Sequence, residues 1–515
     1  MVNIEKFLNR NFYLFILLLP FVEFWSGNVF EFDKNILIYY IVFSLFSILL
    51  IFFFIRALSF FFDSNVGLYF SFFFYLIFKY ILIKSFIGNL NLLNKFDGEI
   101  SLIIILIFFM LMIKITKYLK TELISKFTII YLFLLFSISF SKIILLNKND
   151  LYRLNDTSFL KKHDFLKIQN PQNIYYVVLD GMTSLESFEN FYKYKLNNFR
   201  EFIDNENIFY SQGHTAYPNT LYNFTSFLNL DYIIDEKSDP FLDRSSMYPY
   251  TMRKHLLKNY NLAKILKKIN LEFKWESATH PGNCYNYNLE LCLDKSKASK
   301  IQYMRDNFYV IDAFLSSTPI FSITTRLGIY NPYDKLYDAH KFHDSIGNFL
   351  ENVKKVDLEN KKFFFLIHHM APHNPFVFNK DCSKRRVNNL LNDADLDGYE
   401  SSYLCALKKI IKLYTFVKKN DPNSIVIFQG DHGWNFNHDN RNALKIEYYN
   451  PYTFNMIISG NQCDTEKIIN KLNMINTVRF ALSCSVNKPI DLVDTKKFFT
   501  YQRDEPNYGK VFELK

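Results

Sequence analysis

Glycine and proline are scarce in this 515-residue chain, 14 of each, which leaves no room for an extended low-complexity or proline-rich linker. No internal repeat is present. Cysteine is missing from the first 145 residues, where acidic side chains are also sparse; all six cysteines stand from Cys284 onward. None of them forms a C-x-x-C pair, which excludes the tight spacing of a zinc cluster. The net charge of +10 would suit an anionic partner, but the lysines are scattered, with no basic stripe and no nucleic-acid motif. Solvated surface is the reading, and no nucleic acid is expected as a partner.

What the chain has in excess is aromatic side chains, 57 Phe and 35 Tyr, with Phe crowded into the first 145 residues. Five stretches there approach the ~20 apolar residues that a helix needs to cross a bilayer. They are 11–30, 36–55, 66–83, 100–118 and 127–146. The second carries no charge, the first holds Pro20 and Glu23, the third holds Lys79, and Lys114 and Lys117 can snorkel from the fourth. Buried core helices of a soluble protein are the alternative, but five such runs separated by short loops favour a membrane region over 1–146. With a cytoplasmic N-terminus, Lys6, Arg10, Arg56, Lys114, Lys117, Lys120 and Lys126 fall inside, against Lys34, Lys84 and Lys95 outside. An odd number of spans then puts everything after Asn147 on the periplasmic or extracellular side of a cell membrane. No small-residue cleavage site follows the first apolar run, so it reads as a retained anchor.

The cysteines agree with that topology, since an even set confined to the outer segment suits an oxidising compartment. Six cysteines permit fifteen pairings. Nearest neighbours give Cys284 with Cys292, Cys382 with Cys405, and Cys463 with Cys484.

After a linker at 147–170, the segment 171–515 alternates short apolar runs with longer helical patterns. Strands are expected at 174–179, 208–210, 271–275, 363–367, 425–428 and 452–458, and helices at 252–268, 339–356 and 402–419. Continuous apolar strands between helices predict an α/β domain whose mostly parallel sheet is covered by helices. Ligands in such folds bind beyond the carboxyl ends of the strands.

Four clusters at such ends carry chemistry. Asp180 closes the run Tyr-Val-Val-Leu-Asp-Gly, where an Asp could equally cap the next helix. Asp431 and His432 follow the strand at 425–428 in Gly-Asp-His-Gly, and together they offer an oxygen and an imidazole nitrogen to one metal. Thr220 ends Tyr-Pro-Asn-Thr at the start of a helix, where free N–H groups suit a phosphate, although Thr is also a common cap. His368, His369 and His373 crowd one strand exit, and His373 could donate to a phosphate or leaving group, ligate a second metal, or do neither.

These motifs, in this order and behind five apolar runs, resemble the alkaline-phosphatase superfamily, specifically the membrane-bound sulfatase-like branch of phosphoethanolamine transferases and lipoteichoic acid synthases. The resemblance implies an alkaline-phosphatase-like extracytoplasmic domain with Asp180, Thr220, Asp431 and His432 as metal ligands, Thr220 as nucleophile and His373 as the substrate-contacting histidine. It implies a divalent metal, Zn or Mn, a membrane phospholipid donor, and an envelope glycan or lipid acceptor. The implied reaction moves a phospho-head group, of phosphoethanolamine or phosphoglycerol type, through a phospho-Thr intermediate. Two departures stand out. The named transferases usually carry Glu at the first carboxylate, and no C/S-x-P-x-R motif surrounds Thr220, which argues against formylglycine-dependent sulfate hydrolysis. The rival readings are a sulfatase-like hydrolase of phosphate or sulfate esters, a degenerate non-catalytic binding protein, and a transporter or sensor, for which the few charges within the spans give little support.

Overall fold

In this computed structural model the described residues are 13–27, 34–58, 66–79, 97–116, 121–145, 171–218, 220–232, 261–277, 314, 318, 343–385, 395–434, 436, 450–459, 463–500 and 511–514. Cys284, Cys292, the 147–170 linker and the first part of the helix expected at 252–268 lie outside them. The described residues divide into two compact units, one holding 13–145 with Phe314 and Thr318, the other holding the remainder.

In the first unit, helices α1 (Tyr13–Gly27), α2 (Lys34–Leu58), α3 (Val66–Ile77), α4 (Asp97–Thr116) and α5 (Thr121–Leu145) stand where the five spans were expected. Among the described residues, one stretch, Leu37–Ala57, is long and apolar enough to cross a membrane. The apolar parts of the others, Tyr13–Gly27, Gly67–Ile77, Leu102–Leu111 and Lys126–Ser141, are shorter. The expectation of five spans is corrected to that extent. Within the described residues α1 and α3 cover 15 and 12 residues, with Pro20 inside α1. Helix α2 leaves Phe46 and Phe53 exposed, an apolar face that water would penalise. The charge of Glu23 is compensated: it accepts hydrogen bonds from Tyr75 and Tyr131, both at 2.9 Å, and from Lys79 Nζ at 2.7 Å.

The second unit is built on strands β1 (Ile174–Leu179), β2 (Phe209–Tyr210), β3 (Gly213–His214), β4 (Glu272–Ser277), β5 (Phe363–His369), β6 (Ile425–Gly430), β7 (Tyr452–Thr453), β8 (Asn455–Ile458), β9 (Lys497–Thr500) and β10 (Val511–Leu514). The main sheet has the order β2-β8-β6-β1-β5-β4. Its four central and edge strands β6, β1, β5 and β4 run parallel, whereas β8 pairs antiparallel with β6 and with β2. The sheet is therefore mixed, with the expected parallel part at its centre.

Alternation along β1 sorts the core. Ile174, Tyr176 and Val178 face one layer, with α8 (Thr220–Asn229), α9 (Asn261–Lys268) and α12 (Met474–Val486). Tyr175, Val177 and Leu179 face the other, with α6 (Leu185–Tyr192), α7 (Asn197–Asn205), α10 (Ser345–Asn352) and α11 (Leu396–Asn420). Every residue of β1, β5 and β6 is buried, and full burial stabilises by about 2 kcal/mol per large apolar side chain.

Some boundaries differ from expectation for local reasons. Helix α10 starts at Ser345 because the Asp344 side chain accepts from Gly347 N–H, and α11 starts at Leu396 because Asp395 caps Gly398 N–H. The strand expected at 452–458 is broken at Phe454. The N–H of Phe454 donates to Met182 O and its carbonyl accepts from Gly430 N–H, which takes it out of the ladder. Strand β7 then pairs with β3 instead of the main sheet. Disulfides join Cys382 to Cys405 and Cys463 to Cys484.

Candidate active site

Parallel register brings the chemistry together. Leu179, the last residue of β1, lies level with His369 of β5 on one side and Gly430 of β6 on the other. Three strands therefore end side by side, and the residues just past them, Asp180 and Asp431, emerge at the same edge. His368 is level with Val178 and shares its face of the sheet, so its ring turns toward β1. Its Nε2 lies 3.0 Å from Asp180 Oδ2, and both side chains are buried.

Thr220 is the first residue of α8, as its position after Tyr-Pro-Asn implies. Its hydroxyl, half-buried, donates toward Asp180 Oδ1 at 3.4 Å. The neighbouring threonines are occupied otherwise. Thr215 Oγ1 is buried and donates to the carbonyl of Asp431 at 2.7 Å, and Thr225 is fully buried. Of the three hydroxyls, Thr220 is the one that faces the carboxylates.

Asp431 Oδ1 accepts from the N–H groups of Gly181 and His432, both at 2.9 Å. Its Oδ2 is buried and has no hydrogen-bond partner among the described residues. The Nε2 of His432 lies 3.7 Å from that oxygen and 3.5 Å from Asp180 Oδ1, and His373 Nε2 lies 4.0 Å from Asp180 Oδ1. Donor atoms of Asp180, His373 and His432 all fall within 4.8 Å of one another. His373 thus stands in the donor cluster itself.

The charges explain the tension in this cluster. Burial would raise the Asp180 carboxyl, but the imidazoles of His373, His368 and His432 hold it well below the usual carboxylate range. Asp431 goes the other way, raised by burial and by the negative charge of Asp180. Burial disfavours the His432 imidazolium, yet Asp431 and Asp180 push its pKa up to about 9. Two buried carboxylates side by side, one with an orphaned oxygen, form a site short of positive charge. The residues present fit a divalent cation: two carboxylates, a hydroxyl and imidazole nitrogens are the donor set of Zn²⁺ or Mn²⁺.

Sequence reasoning named the His368-His369 pair without giving either residue a role. The missed signal is parity: His368 continues the alternation Phe364, Leu366, which faces α8, whereas His369 turns to the opposite layer. There His369 is fully buried, its pKa lowered to about 4 by desolvation, with Ile346 N–H at 3.5 Å from Nδ1. Tyr399 and Trp434, described below, carried no signal in the sequence.

No protein-family model matches the chain, and no curated protein matches it. Solved structures do. The integral membrane protein lipooligosaccharide phosphoethanolamine transferase A from Neisseria meningitidis is 12% identical over 93% of this chain and 96% of its own, with a TM-score of 0.41. The C-terminal periplasmic domain of the phosphoethanolamine transferase EptC of Escherichia coli, in complex with Zn, is 12% identical over 67% of this chain and 94% of its own, with a TM-score of 0.40. The lipoteichoic acid synthase LtaP of Listeria monocytogenes is 12% identical over 71% of this chain and 85% of its own, with a TM-score of 0.35.

Proposed function

We propose that the chain is a membrane-anchored, metal-dependent phosphotransferase that moves a phospho-head group from a membrane phospholipid to an envelope glycan or lipid through a phospho-Thr220 intermediate. The observation that carries this reading is the half-buried Thr220 hydroxyl, at a helix N-terminus, 3.4 Å from a buried Asp180 whose neighbour Asp431 keeps one oxygen without a hydrogen-bond partner among the described residues. One divalent cation, held by Asp180, Asp431, His432 and Thr220 with His373 adjacent, would supply Lewis acidity and offset the two carboxylates.

Thr220 Oγ1 starts each turnover as the alkoxide, its proton lost to solvent beforehand, and attacks phosphorus, forming the O–P bond as the bond from phosphorus to the lipid's glycerol oxygen breaks; it leaves as the same alkoxide in the second step. His373 gives a proton to that departing alcohol. The N-terminus of α8, with the positive end of its dipole, holds the phosphate oxygens. An acceptor hydroxyl then attacks the same phosphorus, its proton returns to His373, and the Thr220 O–P bond breaks. In this reading the membrane region 1–146 tethers the catalytic domain 171–515, on the outer side of the membrane, at high local concentration of lipid donor.

The test uses full-length protein in detergent with phosphatidylethanolamine or phosphatidylglycerol in mixed micelles. The expected result is about one Zn²⁺ or Mn²⁺ per chain and a phospho-head-group mass added to the Thr220 peptide. Thr220→Ala should abolish the adduct, and Asp431→Ala with His432→Ala should lose the metal. Full turnover in Thr220→Ala, or folded protein that takes up neither metal, would overturn the reading.

A further inference from the structure

Helix α11 contributes no residue to the donor cluster, yet one of its side chains touches all three loops that build it. Tyr399 is fully buried two residues after Asp397. Its hydroxyl donates to the carbonyl of Gly181 at 3.0 Å and accepts from Thr183 N–H at 3.3 Å, which fixes the loop after β1. Its ring stacks on Trp434 with centroids 4.8 Å apart, in the loop after β6. The same ring meets Phe376 edge-on at 6.1 Å, in the loop after β5, and Trp434 meets the His373 ring edge-on at 5.9 Å.

Gly181 is where these contacts converge on the chemistry. Its carbonyl is held by Tyr399, while its N–H donates to Asp431 Oδ1 at 2.9 Å. The two groups belong to the peptides on either side of the Gly181 Cα, so rotation of the Gly181–Met182 plane passes through the glycine's φ and ψ to the Asp180–Gly181 plane, releasing Asp431 and shifting Asp180. Tyr403, one turn further along α11, offers a built-in comparison. It is equally buried, and its hydroxyl also donates to a backbone carbonyl, that of Thr183, at 3.0 Å. Its ring, however, stacks on Phe188 of α6 at 4.0 Å, in the same layer as Tyr399, and meets the Tyr399 ring at 5.9 Å.

We infer that Tyr399 is a positioning residue for the phosphoryl-transfer site, holding Gly181 and Trp434 so that Asp180, Asp431 and His373 keep their mutual geometry. This rests on the phosphotransferase reading above. Tyr399 touches no reacting atom; it acts through Gly181 and Trp434. Loss of its hydroxyl leaves the ring stack intact, frees the Gly181 carbonyl, and lets the peptide rotate in a fraction of molecules. Misplacement on that scale lowers turnover more than binding, because only the transition state demands the full geometry.

The test compares full-length wild type, Tyr399→Phe and Tyr403→Phe in detergent, with bis(p-nitrophenyl) phosphate as substrate and Zn²⁺ supplied. Each Phe variant removes one buried hydroxyl from the same helix. Tyr399→Phe is expected to lower kcat at least tenfold, with KM within twofold and metal content unchanged. Tyr403→Phe is expected to lower the melting temperature comparably and to keep kcat within twofold. Trp434→Phe, which reaches the site from the other end of the stack, should also lower kcat at unchanged KM, and it serves if Tyr399→Phe does not fold. Equal kcat in the two tyrosine variants, or an unchanged kcat in both Tyr399→Phe and Trp434→Phe, would overturn the inference. A wild type without metal-dependent turnover would instead bring down the reading beneath it, and this inference with it.

Discussion

Gly181 donates its N–H to Asp431 Oδ1 at 2.9 Å while its own φ is +69°, so the peptide that joins the two metal-side loops depends on a left-handed backbone. That conformation is natural to glycine and strained for any other residue. A Cβ built there would lie 3.4 Å from the Trp434 ring and 3.6 Å from the rings of both His373 and His432, ordinary contact distances. Space is thus available, and the backbone is what resists.

Gly181→Ala should therefore cost about 1–2 kcal/mol of stability from the strained φ alone. If the peptide relaxes by rotating, Asp431 Oδ1 loses its donor and kcat falls at least tenfold. Thermal unfolding and turnover of the full-length variant check both parts. A variant that is as stable and as active as wild type would mean that the left-handed peptide is not needed.

How far the site was legible in the sequence depends on whether a residue's partner is local. Asp180 and Asp431 were legible because each stands at the end of a largely apolar run and precedes a glycine or histidine turn, so strand and exit could be read together. Thr220 was legible because a helix begins on it. The His368 contact to Asp180 was not, because it exists only through the register of β1 against β5, which no local pattern states. The same is true of Tyr399, whose partner lies 218 residues away along the chain. The break at Phe454 escaped notice for a related reason. Its run is apolar enough for a strand, but backbone hydrogen bonds to Met182 in the loop after β1 and to Gly430 at the end of β6 claim it. In the first unit, composition revealed five apolar helices, of which one stretch among the described residues, Leu37–Ala57, is long and apolar enough to cross a membrane.

Glu189 offers a test of stability against pH away from the candidate active site. Its side chain is 1% exposed. It accepts from Arg200 Nε and Nη2, both at 2.8 Å, from Leu196 N–H at 2.9 Å and from Lys195 Nζ at 3.0 Å. Leu196 opens α7 without a side-chain cap of its own, so Glu189 pins the end of α6 to the start of the next helix. Burial alone would raise this carboxyl, but the Arg200 fork, the Leu196 N–H and Lys195 pull it down to about 2. A depressed carboxylate stabilises the fold fully above its ordinary pKa, and that contribution is lost as pH falls from about 5 toward 2. After allowance for the partly exposed Arg200 and Lys195, the contribution is on the order of 2 kcal/mol at neutral pH. The melting temperatures of wild type and Glu189→Gln should differ by several degrees at pH 7 and converge as the pH is lowered toward 2. A gap that stays constant across that range would assign the difference to packing instead.

The Cys382–Cys405 disulfide joins the segment that follows β5 to helix α11, two residues past Tyr403. It closes a loop with a sequence separation of 23, for which chain entropy alone predicts about 3 kcal/mol. The bond spans from the loop that carries His373 to the helix that carries Tyr399, so its loss should loosen the His373 side of the donor cluster more than the Asp180 side. Cys382→Ala with Cys405→Ala in the full-length protein is expected to lower the melting temperature by several degrees. Turnover should fall further than bound metal does, because Asp180, Asp431 and His432 are fixed by strands and backbone hydrogen bonds that the disulfide does not touch. Reductant should shift the wild type in the same direction and leave the double variant's activity unchanged. Equal loss of metal and turnover would mean that the disulfide supports the whole domain and not the His373 loop.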